Sequence, residues 1–149
     1  VNYRIRTFVD VEELKRVFAT DPGKLRPVDF QRIAATYPVG SAEYDETYLK
    51  ASEIYPTDPE AAVNAANIYM RHGDIAKATE RLRYASDSAE AIYSRATLAA
   101  INGDLNRARD LFDHSAAAGF APAADESKRV DSILKRTKVK YLITPESAR

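Results

Sequence analysis

An internal copy limits the fold of this chain more than any other feature. The segment from Pro59 to Ala78 can be laid over the segment from Ala89 to Ala108. Each reads as a helix, then Gly-Asp-aliphatic-x-x-Ala, then a second helix, with Gly73-Asp74-Ile75 in one and Gly103-Asp104-Leu105 in the other. Glycine takes the left-handed conformation that stops a helix, and the aspartate after it caps the next one. Self-similarity of this kind marks stacked helical units that each bury only part of their surface alone. Small residues fall where such helices cross closely: Ala65, Ala66, Ala78 and Ala85 in the first copy, and Ala96, Ala99, Ala108 and Ser115 in the second. Larger ones fill between them: Ile68, Tyr69, Ile75 and Leu82, then Ile92, Leu98, Leu105, Leu111 and Phe112.

The pattern resembles the tetratricopeptide repeat. Gly73 and Gly103 are 30 residues apart, four short of the period of about 34 usual for that repeat. The deficit falls at Tyr84-Ala85-Ser86-Asp87-Ser88, so the second helix of the first copy should be about one turn short. A helix with Phe30, Ile33, Ala34 and Tyr37, followed by one with Tyr44, Tyr48 and Ala51, looks like a degenerate earlier repeat closed by Tyr55-Pro56-Thr57-Asp58-Pro59. The expected division is 1–26, an N-terminal strand and helix, the end of a missing upstream domain; 27–118, repeats at 27–58, 59–88 and 89–118; and 119–149, a capping helix with a β-prone tail. The implied fold class is all-α: a right-handed helical-hairpin solenoid of about seven to eight helices over residues 11 to 136, with short β-prone ends.

Those ends read as follows. Tyr3 to Val9 alternate as a short strand, and Asp10 with Glu13 matches a capping box before a helix carrying Val11, Leu14, Val17 and Phe18. A last helix is expected from about Pro122 to Lys135, with Val139 to Thr144 a β-prone run stopped by Pro145.

The order of Asn2-Tyr3-Arg4-Ile5-Arg6, Asp21-Pro22-Gly23-Lys24-Leu25, Tyr37-Pro38-Val39-Gly40-Ser41-Ala42-Glu43-Tyr44 and the Tyr55 to Pro59 boundary is similar to the C-terminal part of cell-envelope proteins of Gram-negative gut anaerobes. In those, an OmpA-like domain precedes a short repeat array in a fimbria- or outer-membrane-related setting. The resemblance implies a periplasmic or outer-membrane-associated location. Val1 stands where an initiator methionine would, so a processed product or an excised fragment of something longer is expected, with any targeting signal upstream.

Composition removes several chemistries. With 22 basic and 22 acidic residues the net charge is zero, so no global field draws in nucleic acid or anionic lipid. Cysteine is absent, which removes disulfides and thiolate chemistry. No apolar run has the roughly 18 residues of a membrane span. His72 and His114 belong to different helices without a metal-ligand spacing, so no metal site is expected. Asp113-His114-Ser115 holds triad residue types, but consecutive helical residues point about 100° apart and cannot form a relay. All five glycines sit in helix-ending turns, and none builds a phosphate loop. Neither a catalytic residue nor a cofactor is expected. Lys128, Arg129, Lys135, Arg136, Lys138 and Lys140 form the one charge concentration, read as a solvated helix face.

What remains is an interaction surface. Repeat arrays bind through the face made by each unit's first helix. Here that face would present Glu60, Val63, Asn64, Asn67, Met70 and Arg71, then Glu90, Tyr93, Ser94, Thr97 and Ile101. The resemblance implies a protein or peptide partner. Some members of the family clamp a peptide's C-terminal carboxylate with Lys, Asn and Arg on this face. Asn64 and Asn67 match that pattern, but Val63, Glu90 and Ser94 stand where positive charge or a further asparagine is needed, so no such clamp is expected. The expected function is a non-enzymatic interaction or assembly module, or else a structural spacer whose groove is filled by its own flanking segments.

Overall fold

The computed structural model describes residues 10–147, and their side chains as far as residue 137. Among the described residues the regular structure is entirely helical: α1 (Val11–Thr20), a 3₁₀ turn (Pro22–Lys24), α2 (Pro27–Ala34), α3 (Ala42–Ile54), α4 (Pro59–Arg71), α5 (Ile75–Leu82), α6 (Ala89–Ile101), α7 (Leu105–Ala117) and α8 (Pro122–Ser147). The chain divides into two compact units, Val1–Ala85 and Ser86–Arg149.

In both units the Gly-Asp pair builds the hairpin as its sequence suggests. Gly73 has φ +79°, and its N–H donates to the Met70 carbonyl at 3.1 Å while the Asp74 N–H donates to the Tyr69 carbonyl at 2.8 Å. That pairing satisfies two of the carbonyls a helix end leaves open. The Asp74 carboxylate then accepts the Lys77 N–H at 3.2 Å and caps α5. Gly103 and Asp104 repeat the arrangement, with φ +81°, Asp104 N–H to Ala99 O at 2.9 Å and Arg107 N–H to the Asp104 carboxylate at 3.4 Å. One aspartate closes a helix with its amide and opens the next with its carboxylate. A connection of three residues therefore suffices, and short connections of this kind make antiparallel neighbours.

The first unit packs around Phe30, which is fully buried with Leu14, Leu25 and Ile33, and Ala51 and Ala61 complete the cluster. Phe18 and Tyr55 meet the Phe30 ring edge-on at 6.0 and 6.3 Å, and the Tyr55 hydroxyl donates to the Leu25 carbonyl. A second cluster joins Ala34, Tyr48 and Ile68. In the second unit Ala96, Ala99, Ala108, Phe112, Ala123 and Val130 form the core. Its alanines let α6, α7 and α8 approach closely.

Three expectations need correction. Val139 to Thr144 is not a β-prone tail: α8 runs unbroken from Pro122 to Ser147. A helix already started gains a hydrogen bond with each added residue, and that outweighs the small preference of β-branched side chains for strands. Pro145, expected to stop that run, lies in the last turn of the helix. Asp10 caps α1 through the Glu12 N–H, but Glu13 is engaged by Arg16 at 2.5 Å and completes no capping box. The expected strand Tyr3 to Val9 lies outside the described residues.

Candidate partner-binding face

Glu60, Asn64, Asn67 and Arg71 recur along α4 at the spacing of a single helical stripe. The structure ties this stripe to α2 and α3 within the first unit. Gln31 of α2 donates to the Glu60 carboxylate at 2.7 Å. The Tyr44 hydroxyl of α3 donates to the Asn64 amide oxygen at 3.4 Å, and the Asn64 amide donates to the Glu60 carbonyl at 2.9 Å. Arg71 grips Asp45 of α3 with contacts of 2.6 and 3.3 Å, and His72 Nε2 lies 3.3 Å from the same carboxylate. Val63, Asn67 and Met70 are half-buried beside this seam.

Charge is distributed unevenly along the stripe. Asp45 is buried and neutralised by Arg71, so the Arg71 charge is spent inside the unit. Glu60 is exposed, and among the described residues no cation lies within 4 Å of it. Partial desolvation of the carboxyl end of this otherwise exposed residue, then the neighbouring Asp58, push it above the ordinary glutamate value, although the Tyr48 hydroxyl opposes them. Burial likewise drives the Tyr48 hydroxyl up to about 12, helped by Glu60. The stripe offers one carboxyl group without a cationic partner among the described residues, amide groups and a tyrosine hydroxyl. Such groups recognise hydrogen-bond donors and cations and repel carboxylates.

The second unit places its candidate residues differently. Glu90 and Ile101 are exposed. Ser94 is 3% exposed and its hydroxyl donates to the Glu90 carbonyl at 3.2 Å, so it offers nothing to a partner. Tyr93 turns into the core, where its ring meets Phe112 at 5.2 Å and Phe120 at 5.0 Å. Thr97 is half-buried and donates to the Tyr93 carbonyl at 3.0 Å.

The triad-like Asp113-His114-Ser115 is dispersed, as helical geometry requires. Asp113 accepts from Ser127 of α8, Ser115 donates to the Ala89 carbonyl at 2.6 Å, and His114 is exposed. Among the described residues no group of three or more His, Asp or Glu side chains is placed to hold a metal ion, and no helix is long and apolar enough to cross a membrane.

Two features escaped the sequence. Asp45 was unremarkable because its partners Arg71 and His72 come from another helix. The first unit also carries an open cleft of about 440 Å³ lined by Leu49, Ser52, Glu53, Pro56, Tyr69, Lys77, Glu80 and Arg81. Arg81 organises its floor, donating to the Ser52 hydroxyl at 3.0 Å and to the Pro56 carbonyl at 3.1 Å.

Residues 47–80 match a family model described as tetratricopeptide repeat. No curated protein is significantly similar to the chain. The matched stretch takes in the second half of α3, all of α4 and most of α5, so the polar stripe lies inside the segment that is similar to this repeat.

Proposed function

We propose that the chain is a non-enzymatic protein–protein interaction module whose first unit receives the partner along the α4 stripe. The observation that carries this reading is the coincidence of the matched repeat, residues 47–80, with a polar stripe whose Glu60 carboxyl has no cationic partner among the described residues. The ligand is a protein segment rather than a nucleic acid, because the stripe presents acceptors and negative charge where a phosphate backbone requires cations. The second unit acts as structural support, since Tyr93, Ser94 and Thr97 are engaged within it. The setting we propose is the bacterial cell envelope, in a protein with an upstream domain and repeats at 27–58, 59–88 and 89–118, a reading supported by the order of sequence motifs.

A photo-crosslinking side chain at Asn67 in the native protein tests this, with the same group at exposed Thr79 of α5 as control. The expected result is a discrete protein adduct from Asn67 and none from Thr79, in the envelope fraction. Equal labelling from both positions would contradict the stripe as the binding face. No adduct from either would favour the spacer reading.

A further inference from the structure

Asp45 and Glu60 mark the two ends of the α4 stripe, and only Asp45 has a counter-charge. It holds the Arg71 guanidinium through contacts of 2.6 and 3.3 Å. Arg71 lies about three turns beyond Glu60 on α4, about 16 Å along the helix axis, so it cannot serve both carboxyls. Among the described residues no cation lies within 4 Å of Glu60.

What surrounds Glu60 is a set of neutral groups from three helices of the first unit. Gln31 of α2 donates an amide hydrogen to its carboxyl at 2.7 Å, and among the described residues the Gln31 amide oxygen accepts from no protein group. Tyr48 of α3 lies beside the same carboxyl, and its ring packs against Tyr44 at 5.1 Å. The Tyr44 hydroxyl is spent on the Asn64 amide oxygen at 3.4 Å. Tyr44 is half-buried, so a ring fixed by two neighbours stays within reach of a ligand. Partial desolvation and the neighbouring Asp58 raise the cost of an ionised Glu60. A hydrogen-bonding cation seated there offsets both.

Given the α4 stripe as the binding face, on which this rests, we propose that the partner segment carries an arginine whose guanidinium seats on the Glu60 carboxyl beside Gln31 and the Tyr44 ring. Arginine suits these groups better than lysine. Its planar fork makes two contacts with a carboxylate, its flat face stacks on a tyrosine, and it gives up its water more easily than an ammonium does. Asp45 and Arg71 make the same carboxylate–guanidinium pair within the chain.

Panning a random-peptide display library against the full chain tests this. Peptides enriched on the wild type should share an arginine. Replacing it with citrulline, which keeps the shape and loses the charge, should weaken binding about tenfold or more. Lysine in its place should recover only part of that loss. Glu60→Gln should weaken the arginine peptide about tenfold and leave the citrulline peptide within about twofold, the signature of a direct pair. Glu60 is exposed, and circular dichroism checks that the variant remains helical. Enriched peptides that crosslink to a photoreactive side chain at Asn67 yet carry no arginine, or that ignore Glu60→Gln, overturn the inference and leave the stripe as the binding face. Equal losses for the arginine and citrulline peptides in Glu60→Gln overturn it too, since Glu60 then only shapes the surface. Arginine peptides that do not crosslink from Asn67 overturn the stripe as the binding face. A library that yields no binder overturns both.

Discussion

The hairpins α4/α5 and α6/α7 begin from the same pattern and end with different surfaces. Both turn at a glycine with φ near +80°, and both cap the second helix with the aspartate that follows. Their equivalent side chains even make the same bond: Asn64 donates to the Glu60 carbonyl, and Ser94 to the Glu90 carbonyl. The fates then separate. Tyr93 takes the place of Val63 and is drawn between Phe112 and Phe120, while Asn64 remains half-buried beside Tyr44. The second helix has 13 residues in one hairpin and 8 in the other. The longer helix brings Ser115 to the Ala89 carbonyl, whereas its counterpart Ala85 falls beyond the end of α5. Conserving the turn keeps the hairpin, and changing a few face residues decides whether that face is spent on folding or left for recognition.

The comparison breaks most readily in the cores. Phe112→Ala should cost about 3–5 kcal/mol, because it leaves a cavity and strips Tyr93 of an edge contact. Leu82→Ala, at the equivalent position of the shorter hairpin, should fall in the lower part of the range of about 2–5 kcal/mol. Denaturant midpoints with unchanged m-values would verify both; a larger loss for Leu82 would reverse the assignment of the better-packed hairpin. Adding volume probes the same difference. Ala66→Leu and Ala96→Leu at fully buried, equivalent positions should each cost about 1–3 kcal/mol by overpacking. The second should cost more, since the longer helix α7 can yield less. An unchanged melting temperature for either would show that its helix is rotated from the orientation described.

The turns should respond alike where the cores do not. Asp74→Ala and Asp104→Ala should each lose about 1 kcal/mol of capping energy, and the asparagine variants, which retain an acceptor, should lose less. Clearly unequal losses would show that the two turns are not equivalent.

The smallest effect is confined to the first unit and to low pH. Burial pushes the Asp29 carboxyl up, but hydrogen bonds from the Arg26 side chain and backbone outweigh it and hold the group below the ordinary aspartate value. A carboxyl with a depressed folded-state pKa contributes stability above its unfolded value of about 3.9, and that contribution is lost as pH falls through the folded value. The stability gap between wild type and Asp29→Asn should therefore shrink as pH falls below about 4. A constant gap would show that the Arg26 pairing contributes nothing.

Local chemistry was legible in the sequence and tertiary chemistry was not. Gly73-Asp74 and Gly103-Asp104 could be read because the bonds they make lie within five residues of themselves. The buried alanines could be read because only small residues fit a close helix crossing. Asp45 could not, since its burial depends on Arg71 arriving from another helix. Ser94 shares a helical stripe with exposed Glu90, yet a side chain that small is covered by its neighbours. Val139 to Thr144 looks β-prone residue by residue, but the helix already running into it carries through.

Helix-resolved hydrogen exchange of the full chain tests most directly whether like turns carry unlike hairpins. Amides in α6 and the middle of α7 should exchange through the slower openings, those of α5 faster by an order of magnitude or more, with α4 intermediate. The Asp74 and Asp104 amides, both held in equivalent turns, should be protected above their flanking glycines. Equal protection of α5 and α7, or slower exchange in α5, would contradict the account.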